Sequence, residues 1–201
     1  TIMPGDGLTG QALIDSVDVV AFTGSVATGK KVAIAAAQKF IPAYLELGGK
    51  DPAIVLEGAD LDRATTAILR ASIVATGQAC QSLERLYVAQ ADHDEFIQLL
   101  TEKAMAATLT KDDPNKGIVG PLIFSLQAAV IQQHLDDALQ KGAIIYCGGK
   151  IEDHRGAKWI APTVLGNVDH SMLIMTEETF GPIMPVMAFC SPEQAVALAN
   201  D

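Results

Sequence analysis

Short apolar runs alternate with stretches of helical periodicity along this chain, and that alternation constrains the fold more than any other feature. Residues 17–22 (VDVVAF) predict a strand. Residues 25–40 predict a helix with Val32, Ile34, Ala35, Ala36 and Ala37 on its apolar side, stopped by Pro42. Residues 43–47 and 53–56 predict two more strands, joined by Gly48-Gly49-Lys50-Asp51-Pro52. Asp60 predicts an N-cap for a helix running to about Thr76, its carboxylate accepting from orphan backbone N–H groups. Beyond Gly77 the pattern predicts a strand over 85–89, a helix over 92–107, a polar loop over 111–117 and a helix over 125–141 that Gly142 ends. Strands follow over 143–147, 159–168 and 183–189, with Gly148-Gly149 as a turn. Ser191 caps a last helix, 193–200, with Pro192 in its first turn. The expected class is α/β.

Composition supports a packed interior and excludes several functions. Of 201 residues 49% are hydrophobic and 19% charged, an ordinary globular balance that leaves ample core. The formal charge of −10 falls entirely within residues 51–201, because residues 1–50 carry four lysines against four acidic residues. So acidic a surface repels phosphate backbones, so neither nucleic acid nor an anionic membrane is expected as a partner. The stretch 117–135 lacks formal charge but contains Gly120, Pro121, Gln127, Gln132 and Gln133, which argues against a membrane span. No charged-then-apolar targeting pattern opens the chain. Cys80, Cys147 and Cys190 are odd in number and widely spaced, which fits free thiols in a reducing compartment and a cytoplasmic location. Four scattered histidines and no CxxC pair give no expectation of a metal site.

Three constellations carry possible chemistry. Phe22-Thr23-Gly24-Ser25 lies between a predicted strand and a predicted helix. Gly24 lets a ligand approach the backbone, and Ser25 sits where a helix N-terminus favours an anion. A plain glycine turn with a serine cap fits those residues as well. Gly24-x4-Gly29-Lys30 also has P-loop spacing, but Lys31 stands where a magnesium-binding Ser or Thr belongs. Cys80 lies in a glycine-containing loop, Gly77-Gln78-Ala79-Cys80, where a thiol can meet a substrate, whereas Cys147 and Cys190 are expected in the core. Glu46, at a strand end between Leu45 and Leu47, is expected in an apolar setting that would raise its pKa toward a general base's range. An ordinary carboxylate paired with Lys50 is the alternative. Glu177-Glu178-Thr179-Phe180-Gly181-Pro182 could bind hydroxyl groups and pack an aromatic ring, or be a solvated acidic pair beside a turn.

Together, in this order and spacing, the motifs resemble those of the NAD(P)-dependent aldehyde dehydrogenase superfamily over essentially the whole chain. Phe22-Thr23-Gly24-Ser25 resembles its pyrophosphate-binding turn, Leu45-Glu46-Leu47-Gly48-Gly49-Lys50 its general-base motif, Gly77-Gln78-Ala79-Cys80 its nucleophile motif and Glu178-Thr179-Phe180-Gly181-Pro182 its nicotinamide-ribose motif. The resemblance implies a three-layer catalytic domain over 48–201 and the C-terminal part of a Rossmann-like cofactor domain over 1–47. It implies aldehyde oxidation to a carboxylic acid with NAD or NADP, Cys80 as nucleophile and Glu46 as base. It further implies cofactor contacts at Gly24, Ser25, Leu47, Glu178 and Phe180, and a homo-oligomeric parent. Polar Gln81 and Ser82 are expected to line the substrate entry.

Family members are more than twice as long. On the resemblance, the chain is expected to be an internal stretch of a longer enzyme. The family's Pro-Trp-Asn motif, which completes the oxyanion hole, is expected to lie outside it, and the stretch alone is expected to be inactive. Two other readings compete. One is a P-loop nucleotidase. The other is a non-catalytic relative serving as an interaction module.

Overall fold

The computed structural model describes residues 1–113 and 115–201; Pro114, inside the loop expected over 111–117, lies outside the described residues. Contacts divide the chain into two compact units, Thr1–Gly48 and Gly49–Asp201.

The first unit contains α1 (Gly7–Ile14), β1 (Val20–Gly24), α2 (Val26–Gln38) and β2 (Ala43–Leu47). β1 and β2 pair in parallel, with Thr23 opposite Glu46 and Gly24 opposite Leu47. A parallel pair needs a crossover, and α2 supplies it. β1 begins at Val20 rather than residue 17 because its partner begins only after Pro42, whose carbonyl accepts from the Val20 N–H at 2.9 Å. α1 was not expected. Gly7 and Gly10 are poor helix formers, and Leu8 is 81% exposed, so no apolar stripe announces it. Asp6 holds its start by accepting from the N–H groups of Leu8 and Thr9.

The second unit contains β3 (Asp51–Val55), α3 (Leu61–Ile73), β4 (Leu83–Ala89), α4 (His93–Ala106), α5 (Ser125–Gln140), β5 (Ile144–Cys147), β6 (Ile151–His154), β7 (Ala157–Ile160), β8 (Thr163–Gly166), α6 (Leu173–Thr176), β9 (Ile183–Phe189) and α7 (Pro192–Ala199). Its main sheet runs β3-β4-β9-β8-β5, parallel except for β5. Pro52 is tolerated because β3 is an edge strand and the ladder shifts register beside it.

Side-chain alternation along these strands creates two cores. Leu86 and Val88 of β4 and Met184 and Val186 of β9 join Ile68 of α3 and Phe96 and Leu100 of α4. Tyr87 and Ala89 of β4, Leu165 of β8 and Phe189 of β9 join Ile131 and Leu135 of α5, Ile174 and Met175 of α6 and Ala195 of α7. The unit therefore has three layers, helix–sheet–helix, and is α/β as expected. Each fully buried Leu or Phe contributes about 1.5–3 kcal/mol to holding a layer in place.

Two expected boundaries move for local reasons. The strand expected over 159–168 is divided into β7 and β8 around Pro162, which has no N–H to offer a ladder. β7 instead folds back on β6 as a small antiparallel hairpin. The helix expected to reach Thr76 ends at Ile73, where the chain tightens into one 3-10 turn with Ala75 and Thr76 in the left-handed region. Among the described residues, no helix is long and apolar enough to cross a membrane.

Candidate active site

In the first unit, the strand ends of β1 and β2 bring Gly24, Ser25, Glu46 and Leu47 together. Ser25 is extended, and its Oγ accepts from the Thr28 N–H at 3.3 Å and bonds Thr28 Oγ1 at 3.0 Å, capping α2. Gly24 sits against the Phe22 ring, where a Cβ would come within 2.7 Å of Cζ. Because α2 begins at Val26, Gly29 lies a full turn inside the helix. There it packs on Leu47, whose Cδ2 would be 2.5 Å from an added Cβ. A P-loop would hold its second glycine in the loop before the helix. The nucleotidase spacing at Gly24 and Gly29 therefore records helix packing, not a phosphate cradle of that kind.

Glu46 is exposed on β2, between half-buried Leu45 and Leu47. The expected burial of its carboxylate is not found: alternation on the strand turns Glu46 away from the face that Leu45 and Leu47 share. Within the second unit, the Lys50 ammonium pairs with Glu84.

In the second unit, Cys80 lies on the loop between the 3-10 turn and β4. Its thiol is exposed, 3.2 Å from Gln81 Oε1. Side chains not singled out in the sequence shape this loop. Thr76 Oγ1 accepts from the Gly120 N–H at 2.9 Å. The Gln78 amide donates to the carbonyls of Ala75 and Pro121 and accepts from the Ile123 N–H at 2.8 Å. Gln78 thus ties the Cys80 loop to the segment before α5. Ser82 is buried, so it does not line an entry as expected; only Gln81 is exposed there. Cys190 is likewise exposed rather than in the core, being the first residue beyond β9. Cys147 is half-buried, and burial pushes its thiol pKa up.

The segment of Glu178, Thr179 and Phe180 follows α6. Glu178 is half-buried; burial and the nearby Glu84 carboxylate raise its pKa, against the Gly49 backbone and Lys50. Phe180 is half-buried, with φ +51°. Lys50 Nζ lies 2.7 Å from Glu84 Oε2 and 2.8 Å from Thr179 Oγ1, with both members of the ion pair buried. Burial lowers the Lys50 pKa, partly offset by Glu84. Gly77, φ +69°, meets this segment directly: a Cβ there would overlap the Gly181 carbonyl and stand 2.8 Å from Pro182 N. The loop of Cys80 and the segment of Glu178 and Phe180 are therefore in contact, backbone to backbone.

The model of the aldehyde dehydrogenase family matches residues 1–201. The chain belongs to the aldehyde dehydrogenase family. Among similar sequences, the 4,4'-diapolycopene aldehyde oxidase of Methylomonas sp is 44% identical over 198 residues, covering 98% of this chain and 36% of that protein. Among solved structures, the Anabaena variabilis protein PutA superposes with a TM-score of 0.96 at 57% identity, over 98% of this chain and 42% of the other. Betaine aldehyde dehydrogenase from Staphylococcus aureus, solved in complex with NAD+, superposes with a TM-score of 0.91 at 34% identity, over 98% of this chain and 40% of the other. The chain thus spans about four tenths of the length of the relatives it matches.

Proposed function

We propose that the protein containing this chain oxidises an aldehyde to a carboxylic acid with NAD+ or NADP+, using Cys80 as nucleophile and Glu46 as general base. The observation that carries the reading is the contact of Gly77 with Gly181: it sets an exposed thiol loop against a segment bearing a half-buried carboxylate and an aromatic ring.

The residues present fit a dinucleotide. Glu178 offers a carboxylate to ribose hydroxyls, and the Phe180 ring offers an apolar face. Gly24, without a side chain, and the open first turn of α2 beyond Ser25 suit a pyrophosphate. Leu47, at the end of β2, is the remaining proposed contact. NAD(P)+ supplies, when bound, an acceptor for the hydride that leaves the aldehyde carbon.

The chain's own residues account for the rest. Cys80 Sγ adds as a thiolate to the aldehyde carbon, and the carbonyl electron pair moves to oxygen. The Cys80 backbone N–H donates to that oxyanion. Once the carbon has given up hydride, Cys80 carries a thioester. Glu46 takes a proton from water as the water oxygen adds to the thioester carbon; the C–S bond breaks, releasing acid and the Cys80 thiolate. With Glu46 present to activate water, hydrolysis is favoured over acyl transfer to coenzyme A. Residues 1–47 are read as cofactor domain and 48–201 as catalytic domain. A homo-oligomer is proposed on family membership, and a cytoplasmic setting on the three free thiols.

The test is aldehyde-dependent NAD(P)H formation by the full-length protein that contains this chain. Wild type should be active across part of an aldehyde panel, and Cys80→Ala should lower kcat by about a thousand-fold or more. Undiminished turnover in Cys80→Ala would sink the thiol mechanism.

A further inference from the structure

Glu84 stands at the second position of β4, four residues beyond Cys80, with its side chain 4% exposed. A carboxylate buried to that degree is strongly unfavourable unless its charge and lone pairs are answered. Here three donors answer it. Lys50 Nζ donates to Oε2 at 2.7 Å, the Thr179 N–H to the same oxygen at 2.7 Å, and the Phe180 N–H to Oε1 at 2.8 Å.

Thr179 is held at every polar atom. Its hydroxyl accepts from Lys50 at 2.8 Å, which leaves the hydroxyl proton for His134 Nδ1 at 3.1 Å and puts the His134 proton on Nε2. Its carbonyl accepts from Gln127 Nε2 at 2.7 Å. Phe180, next in the chain, sits at φ +51°, a conformation an aromatic residue rarely adopts without support.

Stability alone does not explain an ion pair at this place. A well-packed apolar pair commonly stabilises a core as much. What an apolar pair cannot do is accept two consecutive backbone N–H groups. That double acceptance fixes the peptide planes on either side of Thr179, and so the directions in which Glu178 and Phe180 project. The same pair draws in Lys50, which follows Glu46 by four residues in the sequence.

We infer that Glu84, with Lys50 as its counter-ion, is a positioning residue that sets the backbone of residues 178–180 for cofactor binding. The inference rests on the proposed cofactor contacts of Glu178 and Phe180, and it deepens that reading.

The experiment uses the full-length protein and calorimetric titration with NAD+ and NADP+, beside steady-state kinetics. Glu84→Gln keeps the shape but presents an amide donor to a backbone donor and leaves Lys50 unpaired. The double variant Glu84→Gln with Lys50→Met removes that orphan charge, so it separates positioning from folding. In both, the dissociation constant and KM for the cofactor should rise about tenfold or more, as expected for losing a charge-assisted hydrogen bond. The aldehyde KM and the rate of Cys80 alkylation without cofactor should stay near wild type. Glu84→Asp, which retains the charge, should recover part of the affinity. A folded double variant with wild-type cofactor affinity overturns the inference. So does a double variant that fails to fold, because the pair would then be a stability element. A wild type that binds neither nucleotide overturns the proposed function itself, which is a different outcome from either.

Discussion

Gly77 approaches Gly181 so closely that the Gly181 backbone leaves no room for a side chain on Gly77. An added Cβ at Gly77 would overlap the Gly181 carbonyl, and one at Gly181 would stand 2.6 Å from Ile131 Cδ1. The contact joins the loop of the proposed nucleophile to the segment of the proposed ribose ligand. Ala75, Thr76 and Gly77 are all left-handed, which turns the chain sharply enough after α3 to make it.

Gly77→Ala should therefore be severe. It combines a left-handed conformation, costing an L residue roughly 1–2 kcal/mol, with a backbone overlap that cannot be relieved by a rotamer. We expect a lowered unfolding temperature, a raised cofactor KM and a lowered kcat together, because both loops must shift. Gly58→Ala is a useful control: Gly58 has φ +78° but nothing within reach of an added Cβ. It should lower stability modestly and leave kinetics unchanged. Equal kinetic effects at both positions would show that strain, not the contact, matters.

What the sequence made legible was whatever repeats or caps. Short apolar runs predicted β4 and β9, and the caps of Asp60 and Ser191 are found where expected, accepting from the N–H groups of Arg63 and Gln194. The motifs located Cys80, Glu178 and Phe180, which the fold then brings onto two touching segments. The burial expected of Glu46 is not found because strand alternation, not the polarity of neighbours, decides which face a residue takes. Glu84, and the bridging role of Gln78, went unnoticed because their partners are mostly tens of residues away and mostly backbone groups, which no local pattern encodes. One signal was available: the charged pair Glu84-Arg85 interrupts an otherwise apolar strand, and buried charges need partners.

If Glu46 is the base for thioester hydrolysis, it acts after hydride has left. Glu46→Gln should then preserve a rapid burst of NAD(P)H, close to one per active site, while steady-state turnover falls by about 100-fold or more. Stopped-flow absorbance separates the two phases. An unchanged steady-state rate would remove Glu46 from the role, and loss of the burst would place it before hydride departure.

Glu178 should contribute mainly through the cofactor. Glu178→Gln loses a charged acceptor for ribose hydroxyls, a change of about 1.5–3 kcal/mol for a bond of this kind. That corresponds to a cofactor KM raised about tenfold or more, with the aldehyde KM little changed. A selective rise in the aldehyde KM would instead assign Glu178 to the substrate side.

His134 makes the protein's stability depend on pH in a defined window. Burial and the Lys50 ammonium bring its pKa down to about 4, Asp137 opposing weakly. In the unfolded chain a histidine titrates near 6.5. Between those values the unfolded state binds more protons than the folded one, so stability rises with pH. The contribution is complete above about pH 6.5, is lost as pH falls toward 4, and changes no further below that. The carboxylates held low by their lysine partners, Asp137 and Asp153, titrate below this window; Glu178, raised by burial and Glu84, acts with the opposite sign inside it, so the difference between wild type and the His134 variant isolates the histidine's share. We expect the unfolding temperature of the full-length protein to drop by several degrees between pH 6.5 and 4.5. His134→Gln, which keeps an acceptor for the Thr179 hydroxyl but cannot be protonated, should flatten that dependence. An equal slope in the variant would assign the acid sensitivity to other groups.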